Sequence, residues 1–201
     1  FCSEVVPSGR TFMQSMLRSF RGLEVDWMRG SVRYVRSAWQ RLELSGGFWR
    51  DLAWWRSALL RANSTSVAPA WCPEAGPAHP PGELALVGSD ASDLACGGLV
   101  WLDGAREEVT LTFTAAERRR PINFRELRGC LRVLEVYGER LRHRTVVVEL
   151  DNTCAVQAAR KLHCKVEDMQ ELLRRIVELA QHHGFRLWHT GVFYSRHLKE
   201  P

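Results

Sequence analysis

The stretch "VVVELDNTCAVQAAR", residues 146–160, decides how this chain folds. Its first half is a run of apolar residues typical of a buried strand, its second half has helical composition, and Asp151 stands where the two meet. A second apolar run, "LALVGSD" at 84–90, ends in the same way at Asp90. An aspartate after a strand is a good helix cap or turn former, but it is also a hard ligand for a metal ion. Each aspartate alone is open to both interpretations.

Strands and helices alternate around these two aspartates. The spacing of apolar residues from residue 83 onward predicts the order β-β-β-α-β-α-α-β. Asn123 is the predicted N-cap of the first helix. The predicted strands are 83–90, 96–102, 107–114, 145–151 and 185–190, and the predicted helices are 123–141, 153–161 and 165–184. This order predicts a mixed α/β fold, with a five-stranded sheet flanked by helices.

The same order places three acidic residues at one edge of the sheet. If the first three strands form a meander, the helix at 123–141 must cross over to a strand that is parallel to the third and the first. A crossover helix runs antiparallel to the strands that it joins, so its first turn lies where parallel strands end. Asp90 ends the first strand, Asp151 ends the fourth, and Glu126 lies near the start of the helix. The three carboxylates meet if the first and fourth strands are neighbours.

Three carboxylates in one place repel one another unless a cation compensates them. Mg²⁺ prefers oxygen ligands and keeps several waters, which leaves room for a phosphate group. Two such ions ~3.5–4 Å apart activate a water and stabilise the leaving oxygen of a phosphodiester. Capping explains Asp151 alone quite well, but it does not explain Asp90, Glu126 and Asp151 together.

The first 62 residues have a different character. They carry ten arginines and five acidic residues, which equals the whole formal net charge of +5, and apolar residues recur in them at helical spacing. We therefore expect a basic helical arm at 1–62, a Pro/Ala/Ser-rich linker at 63–82 and a separate domain at 83–201. Arg33, Arg36 and Arg41 are candidate contacts to nucleic acid, since arginines along a helix attract polyanions. The alternative is a solvated face.

Five of the eight tryptophans lie in this arm. Tryptophan interleaved with arginine can stack on bases, but such aromatics more often form a core, and we favour the core interpretation. Cysteines stand at 2, 72, 96, 130, 154 and 164 without a C-x-x-C pair, so we expect reduced thiols in an intracellular compartment, cytoplasmic or nuclear. No apolar run approaches the ~18 residues of a membrane span, and a start at Phe1 is expected of a fragment of a longer protein.

Three short motifs resemble a known family. "GSDAS" at 88–92, "INFREL" at 122–127 and "ELDNT" at 149–153 are similar to the acidic motifs of ribonuclease H domains in reverse transcriptases, above all those of DIRS-type, or tyrosine-recombinase, retroelements. The upstream segments "VVPSGRTF" and "DLAWWRSALL" resemble the connection that precedes the ribonuclease H portion in those elements. The resemblance therefore covers nearly the whole chain.

The resemblance implies a ribonuclease H-like fold that hydrolyses the RNA strand of an RNA–DNA hybrid with two Mg²⁺ ions, for which Mn²⁺ substitutes. Asp90 would bridge both ions, Asp151 would bind one of them, and Glu126 would bind the other and sense the RNA 2′-hydroxyl. Asn152 and Ser89 stand beside these ligands and would orient them or contact phosphate. The implied partners are the hybrid or another nucleic acid, together with the polymerase portion of the same polyprotein or a host assembly.

One motif departs from the family. Its members carry a fourth acidic residue after the last strand, in a segment like P-G-x-x-N-x-x-A-D. This chain has "HTGVFYSRHLKEP", in which Gly191 aligns with the glycine, Tyr194 with the asparagine and Leu198 with the acid. His197 is the candidate substitute, as a metal ligand or a proton shuttle, against the alternative of an ordinary exposed histidine.

Two hypotheses follow. The intact set of three acids favours an active nuclease domain of a retroelement polyprotein. The missing fourth acid and the Trp/Arg-rich arm favour an inactive, domesticated fold that serves as a structural or nucleic-acid-binding component of a larger assembly. A zinc site built from Cys154, His163, Cys164 and His182 or His183 matches no ligand spacing that we can justify.

Overall fold

The structure is a computed structural model of the 201-residue chain, and it describes residues 9–19, 24–26, 31–33, 44–61 and 84–191. For residues 24–26, 31–33, 61 and 189–191 it describes the backbone alone. The chain divides into two compact units, Phe1–Ala68 and Pro69–Pro201. The described helices are all too short or too polar to cross a membrane.

The first unit combines short helices with a β-hairpin. In chain order its elements are a 3₁₀ turn Gly9–Met13, helix α1 Gln14–Ser19, strands β1 Glu24–Asp26 and β2 Ser31–Arg33, and helix α2 Gly46–Arg61. Helix α2 packs against the 3₁₀ turn and α1.

A buried aspartate and stacked aromatic rings join α2 to the start of the unit. Asp51 on α2 is fully buried and accepts a hydrogen bond of 2.8 Å from the backbone N–H of Ser15, near the start of α1, where helical N–H groups lack partners. Trp54 stacks on Phe12 with 4.0 Å between the ring centroids, and Trp55 is buried. The core interpretation is confirmed for Trp55, whereas Trp49 is 56% exposed.

The prediction of a helical arm is wrong for residues 24–26 and 31–33. Strands β1 and β2 pair antiparallel there, with Val25 opposite Val32. The β-branched valines suit a strand pair. Arg33 therefore ends a strand rather than lying on a helix, and Arg36 and Arg41 are outside the described residues.

The second unit contains a five-stranded sheet and four helices among its described residues. Its strands are β3 Leu84–Ala91, β4 Ala95–Leu102, β5 Ala105–Thr112, β6 Thr145–Leu150 and β7 Arg186–Gly191. Its helices are α3 Ala115–Arg118, α4 Ile122–Tyr137, α5 Thr153–Lys161 and α6 Glu167–His183. The expected fold class, a mixed α/β sheet flanked by helices, is confirmed.

The strand order is β5-β4-β3-β6-β7, with β3 in the centre. β3 pairs antiparallel with β4 and parallel with β6, and β7 adds to β6 in parallel. The first and fourth strands of this unit are therefore neighbours, which is the condition for the three acids to meet. Helix α4 provides the crossover from β5 to β6.

Helix α4 covers one face of the sheet and forms the centre of the core. It packs on β3, β4 and α6, and its leucines Leu127, Leu131 and Leu134 are fully or almost fully buried. Ala85 and Val87 of β3 face it, and Val146 and Val148 of β6 lie opposite them in the register. The alternate residues of β3, including Gly88 and Asp90, point to the other face.

Two local predictions differ from the structure. Helix α4 begins at Ile122 and its N-cap position is Pro121, so the assignment of Asn123 as the N-cap is wrong. The short helix α3 was not predicted, although its sequence carries a capping box in which Thr114 and Glu117 bond to each other's backbone N–H.

Candidate metal centre

Asp90 occupies the penultimate position of β3, the central strand. Its neighbours Ser89 and Ala91 are buried towards α4, so the period of two turns the Asp90 side chain to the opposite, exposed side. Asp90 lies opposite Gly97 of β4, which has no side chain to cover it. The carboxylate is therefore accessible at the edge where the parallel strands end.

Asp151 follows the last residue of β6. The parallel register pairs Ser89 with Leu150, so the next residues of the two strands, Asp90 and Asp151, lie side by side. Capping does not explain Asp151, because the N-cap of α5 is Asn152, whose Oδ1 accepts a hydrogen bond of 3.0 Å from the Ala155 N–H. Asp151 is exposed and its side chain is available as a ligand.

Glu126 is brought to the same edge by α4. It is 3% exposed, and its Oε1 accepts a hydrogen bond of 3.3 Å from the Ala91 N–H. Its Oε2 is buried and has no hydrogen-bond partner among the described residues. An unpartnered buried carboxylate oxygen is costly and calls for a compensating group.

The three carboxylates converge as the sequence predicts. One oxygen from each of Asp90, Glu126 and Asp151 lies within 4.8 Å of the other two, and among the described side chains this is the one group of three such ligands. Oxygen ligands alone suit a hard divalent cation. The unpartnered Oε2 of Glu126 and the all-oxygen donor set both fit such an ion.

The electrostatics of the centre follow from burial and like charge. Burial, followed by the nearby charges of Asp151 and Asp90, raises the pKa of Glu126 to about 7 from its ordinary value of 4.5. Each of these causes disfavours the ionised carboxylate. A bound cation would reverse the balance, because it favours the charged form.

Of protein-family models, curated sequences and solved structures, only solved structures match this chain. No protein-family model matches the chain, and no curated protein sequence matches it significantly. Ribonuclease H1 from the halophilic archaeon Halobacterium salinarum NRC-1 is 15% identical, with a TM-score of 0.43, over 56% of this chain and 88% of that one. The N-terminal ribonuclease H domain of Rv2228c from Mycobacterium tuberculosis is 18% identical, with a TM-score of 0.45, over 56% of this chain and 89% of that one. Both are ribonuclease H proteins to which this chain is similar at low sequence identity.

Another match covers a larger share of this chain. The foamy viral protease–reverse transcriptase, solved in complex with an RNA/DNA hybrid, covers 78% of this chain at 8% identity and a TM-score of 0.43. This chain spans 25% of that protein.

The predicted auxiliary residues Asn152, Ser89 and His197 lie in different environments. Asn152 is half-buried beside Asp151, and its Nδ2 donates a hydrogen bond of 2.9 Å to Oδ1 of Asn123. Ser89 is buried on the side of β3 that faces α4, and its Oγ has no partner among the described residues. His197 lies outside the described residues.

Two features of the site were not foreseen from the sequence. Asn123 and Arg125 on α4 bond to the turns that follow Asp151 and Asp90, through Asn152 and Asp93. The period of the helix would have placed Asn123 on the same side as Glu126, three residues on, but the sequence did not show which neighbour it meets.

An open groove of about 480 Å³ lies on the sheet face opposite α4. Asp90, Asp151, Glu149 and Glu108 line it, together with Arg106. Burial raises the pKa of Glu149. The two-residue spacing between Glu149 and Asp151 would have predicted that both side chains lie on the same face of the sheet. The walls are predominantly acidic, so the groove attracts cations and repels phosphate unless a cation is bound.

Proposed function

We propose that this chain is the ribonuclease H domain, with part of the preceding connection, of a DIRS-type retroelement reverse transcriptase. It would hydrolyse the RNA strand of RNA–DNA hybrids. The basic arm, the linker at 63–82 and the nuclease domain at 83–201 would be parts of one polyprotein that works inside the cell. The motifs "GSDAS", "INFREL" and "ELDNT" support the retroelement context.

One observation carries the proposed chemistry. Three carboxylates from three separate elements have ligand oxygens within 4.8 Å of one another, and one buried oxygen of Glu126 has no partner among the described residues. Helix capping accounts for none of the three, because the caps of α4 and α5 are Pro121 and Asn152. A shared cation accounts for all of them.

The three acidic residues would have different roles in the proposed hydrolysis. Asp90, Glu126 and Asp151 would hold two Mg²⁺ ions, or Mn²⁺ in their place, whose chemistry is to activate a water and to stabilise the leaving oxygen of the phosphodiester. Asp90, near the end of the central strand, is exposed and lines the groove, so its carboxylate is accessible to an ion. Asp151 is exposed and would face the incoming phosphate. Glu126 is nearly buried, and its contact with a 2′-hydroxyl would tell RNA from DNA.

Cleavage of a labelled RNA–DNA hybrid tests the proposal. In Mg²⁺ the unmutated chain is expected to cut the RNA strand, and Asp90→Asn is expected to lower the rate by ~10²-fold or more, because an amide is a poor ligand for a hard cation. The matched control is Asp103→Asn, in the β4–β5 turn, where a positive φ of 54° suits asparagine. Equal background cleavage by all three proteins would rule out the proposed nuclease activity.

The second candidate is an inactive fold that binds nucleic acid within a larger assembly. It is favoured by Leu198, which stands where the family has its fourth acid. In that case the hybrid would bind with a steep dependence on salt and would not be cut, and Asp90→Asn would leave binding unchanged or tighter.

A further inference from the structure

The first turns of α4 are tied to both strand ends that carry the aspartates. From Asn123 to Glu126 the helix makes three separate links to the edge of the sheet. Oδ1 of Asn123 receives the hydrogen bond of Asn152, the residue after Asp151. Arg125 donates 2.7 Å to Asp93, in the turn after Asp90, and Glu126 itself accepts from the Ala91 N–H.

The orientation of the two asparagine amides is fixed by a third group. Asn152 Oδ1 accepts from the Ala155 N–H at 3.0 Å, so its Nδ2 must be the atom that faces Asn123. Asn123 consequently presents its oxygen, as an acceptor. The bond joins the helix that carries Glu126 to the turn that carries Asp151.

Arg125 plays the corresponding part on the other side. Its side chain is 10% exposed, and it donates to the carbonyls of Arg118 and Arg120 at 2.9 and 3.1 Å as well as to Asp93. A planar guanidinium can hold three acceptors in one fixed arrangement. The segment before α4 and the turn after β3 are therefore held by one side chain.

These links oppose a repulsion that is built into the site. Three carboxylates within 4.8 Å of one another would separate if their elements were free to move. We propose that Asn123 and Arg125 are positioning residues that hold the carboxylates of Asp151, Glu126 and Asp90 at the spacing that a cation requires. The inference rests on the proposed metal-dependent function, and neither residue is one of the three proposed ligands.

Mn²⁺ affinity of the whole chain, measured by the loss of the free-ion electron paramagnetic resonance signal, tests the role of Asn123. Asn123→Ala removes the acceptor and is expected to weaken binding by ~10–100-fold, as for other residues that orient ligands. Asn123→Asp keeps an acceptor for Asn152 and is expected to bind at least as tightly as the unmutated chain. Equal weakening in both variants, or no weakening in Asn123→Ala, would overturn the proposal.

The control removes a similar hydrogen bond elsewhere at this edge. Thr114→Ala breaks the capping box of α3, where the Thr114 hydroxyl accepts from the Glu117 N–H, and is expected to leave Mn²⁺ affinity unchanged.

Arg125→Lys tests the role of Arg125. It replaces the guanidinium by a point charge that cannot reach the same three acceptors, so weaker Mn²⁺ binding is expected. Unchanged binding in Arg125→Lys would remove Arg125 from the proposal.

A measurement without metal separates the positioning role from the proposed function. Hydrogen exchange of the Ala91 amide, which donates to Glu126, is expected to accelerate in Asn123→Ala and to recover in Asn123→Asp. If the unmutated chain binds no Mn²⁺ but this pattern appears, the links are real and the metal-dependent function fails. If exchange is the same in all variants, the positioning role fails even when the chain cleaves hybrids.

Discussion

Burial and repulsion by neighbouring carboxylates both act on the side chain of Glu126. It is 3% exposed, it lies beside two other carboxylates, and burial with their charges raises its pKa to about 7. Without a cation the group is therefore half protonated near neutral pH, and cation binding must displace that proton. Metal affinity is expected to rise with pH up to about 7.

The same pKa makes stability depend on pH in a defined direction. The folded pKa of about 7 exceeds the ordinary 4.5, so between these values the folded state binds more protons than the unfolded state. In EDTA, the contribution of Glu126 to the free energy of unfolding is expected to be full below pH 4.5, to fall as pH rises to about 7, and to stay constant above. Glu126→Gln should lack this fall in urea unfolding.

The comparison of the two unfolding profiles decides the point. Parallel curves for the unmutated chain and Glu126→Gln between pH 4.5 and 8 would contradict a raised pKa at this position. The nearby carboxyl of Glu117 cannot mimic the effect, because hydrogen bonds from Arg128 and Thr114 outweigh its burial and lower its pKa to about 2.

At the residue scale, the sequence predicts the three acidic residues of the site better than the residues that position them. Asp90, Glu126 and Asp151 could be grouped because a strand order and a crossover rule place them at one edge. Asn123 could not be assigned correctly, since an asparagine near a helix start is a good cap in sequence, and only the fold shows that Pro121 takes that position while Asn123 meets Asn152.

At the element scale, adjacent glycines in β4 have opposite environments. A Cβ on Gly98 would lie 2.5 Å from Cγ2 of Val133 on α4 and 2.9 Å from Cγ1 of Val109 on β5. A Cβ on Gly97 would meet no atom within 4 Å, because that residue faces the open groove. The close approach of α4 to the sheet, and hence the position of Glu126, depends on Gly98.

This difference gives a matched pair of variants. Gly98→Ala is expected to lower the free energy of unfolding by ~1–3 kcal/mol, because valine is stiff at χ1 and the overlap must be relieved by moving α4. Gly97→Ala is expected to stay within ~0.5 kcal/mol. The measurement is chemical denaturation of both variants, and equal effects would contradict the packing described.

Elements with a strong period could be predicted, and marginal ones could not. The alternating and helical patterns of the second unit gave every strand of its described sheet and three of its four described helices, because burial against α4 enforces them. The hairpin β1–β2 was mistaken for a helix, since its three-residue strands are too short to establish a period of two and its valines also fit helical spacing.

At the scale of the whole molecule, the second unit carries its own core. The main buried cluster extends from Ala85 to Leu187 and draws on β3, β4, β6, β7 and three helices. A core of this kind supports independent folding. The domain boundaries themselves, with a linker at 63–82, stay a prediction, because those residues lie outside the described ranges.

Independent folding can be measured with two fragments. Residues 69–201 alone are expected to unfold in one cooperative transition by circular dichroism, since the whole cluster is retained. Residues 69–150 lack α5, α6 and β7 and are expected to show no cooperative transition. A gradual, non-cooperative melt of residues 69–201 would show that the unit depends on the rest of the chain.

The parallel pairing of β3 with β6 has a consequence for protein synthesis. The strands β3, β4 and β5 pair with their sequence neighbours, whereas β6 can pair with β3 only after the whole crossover has been translated. A nascent chain that ends after α4 and before residue 150 therefore contains Asp90 and Glu126 but lacks Asp151, the third carboxylate of the centre. The proposed metal centre is incomplete in such a chain, so any metal-dependent activity is expected to begin only after β6 and Asp151 have been made.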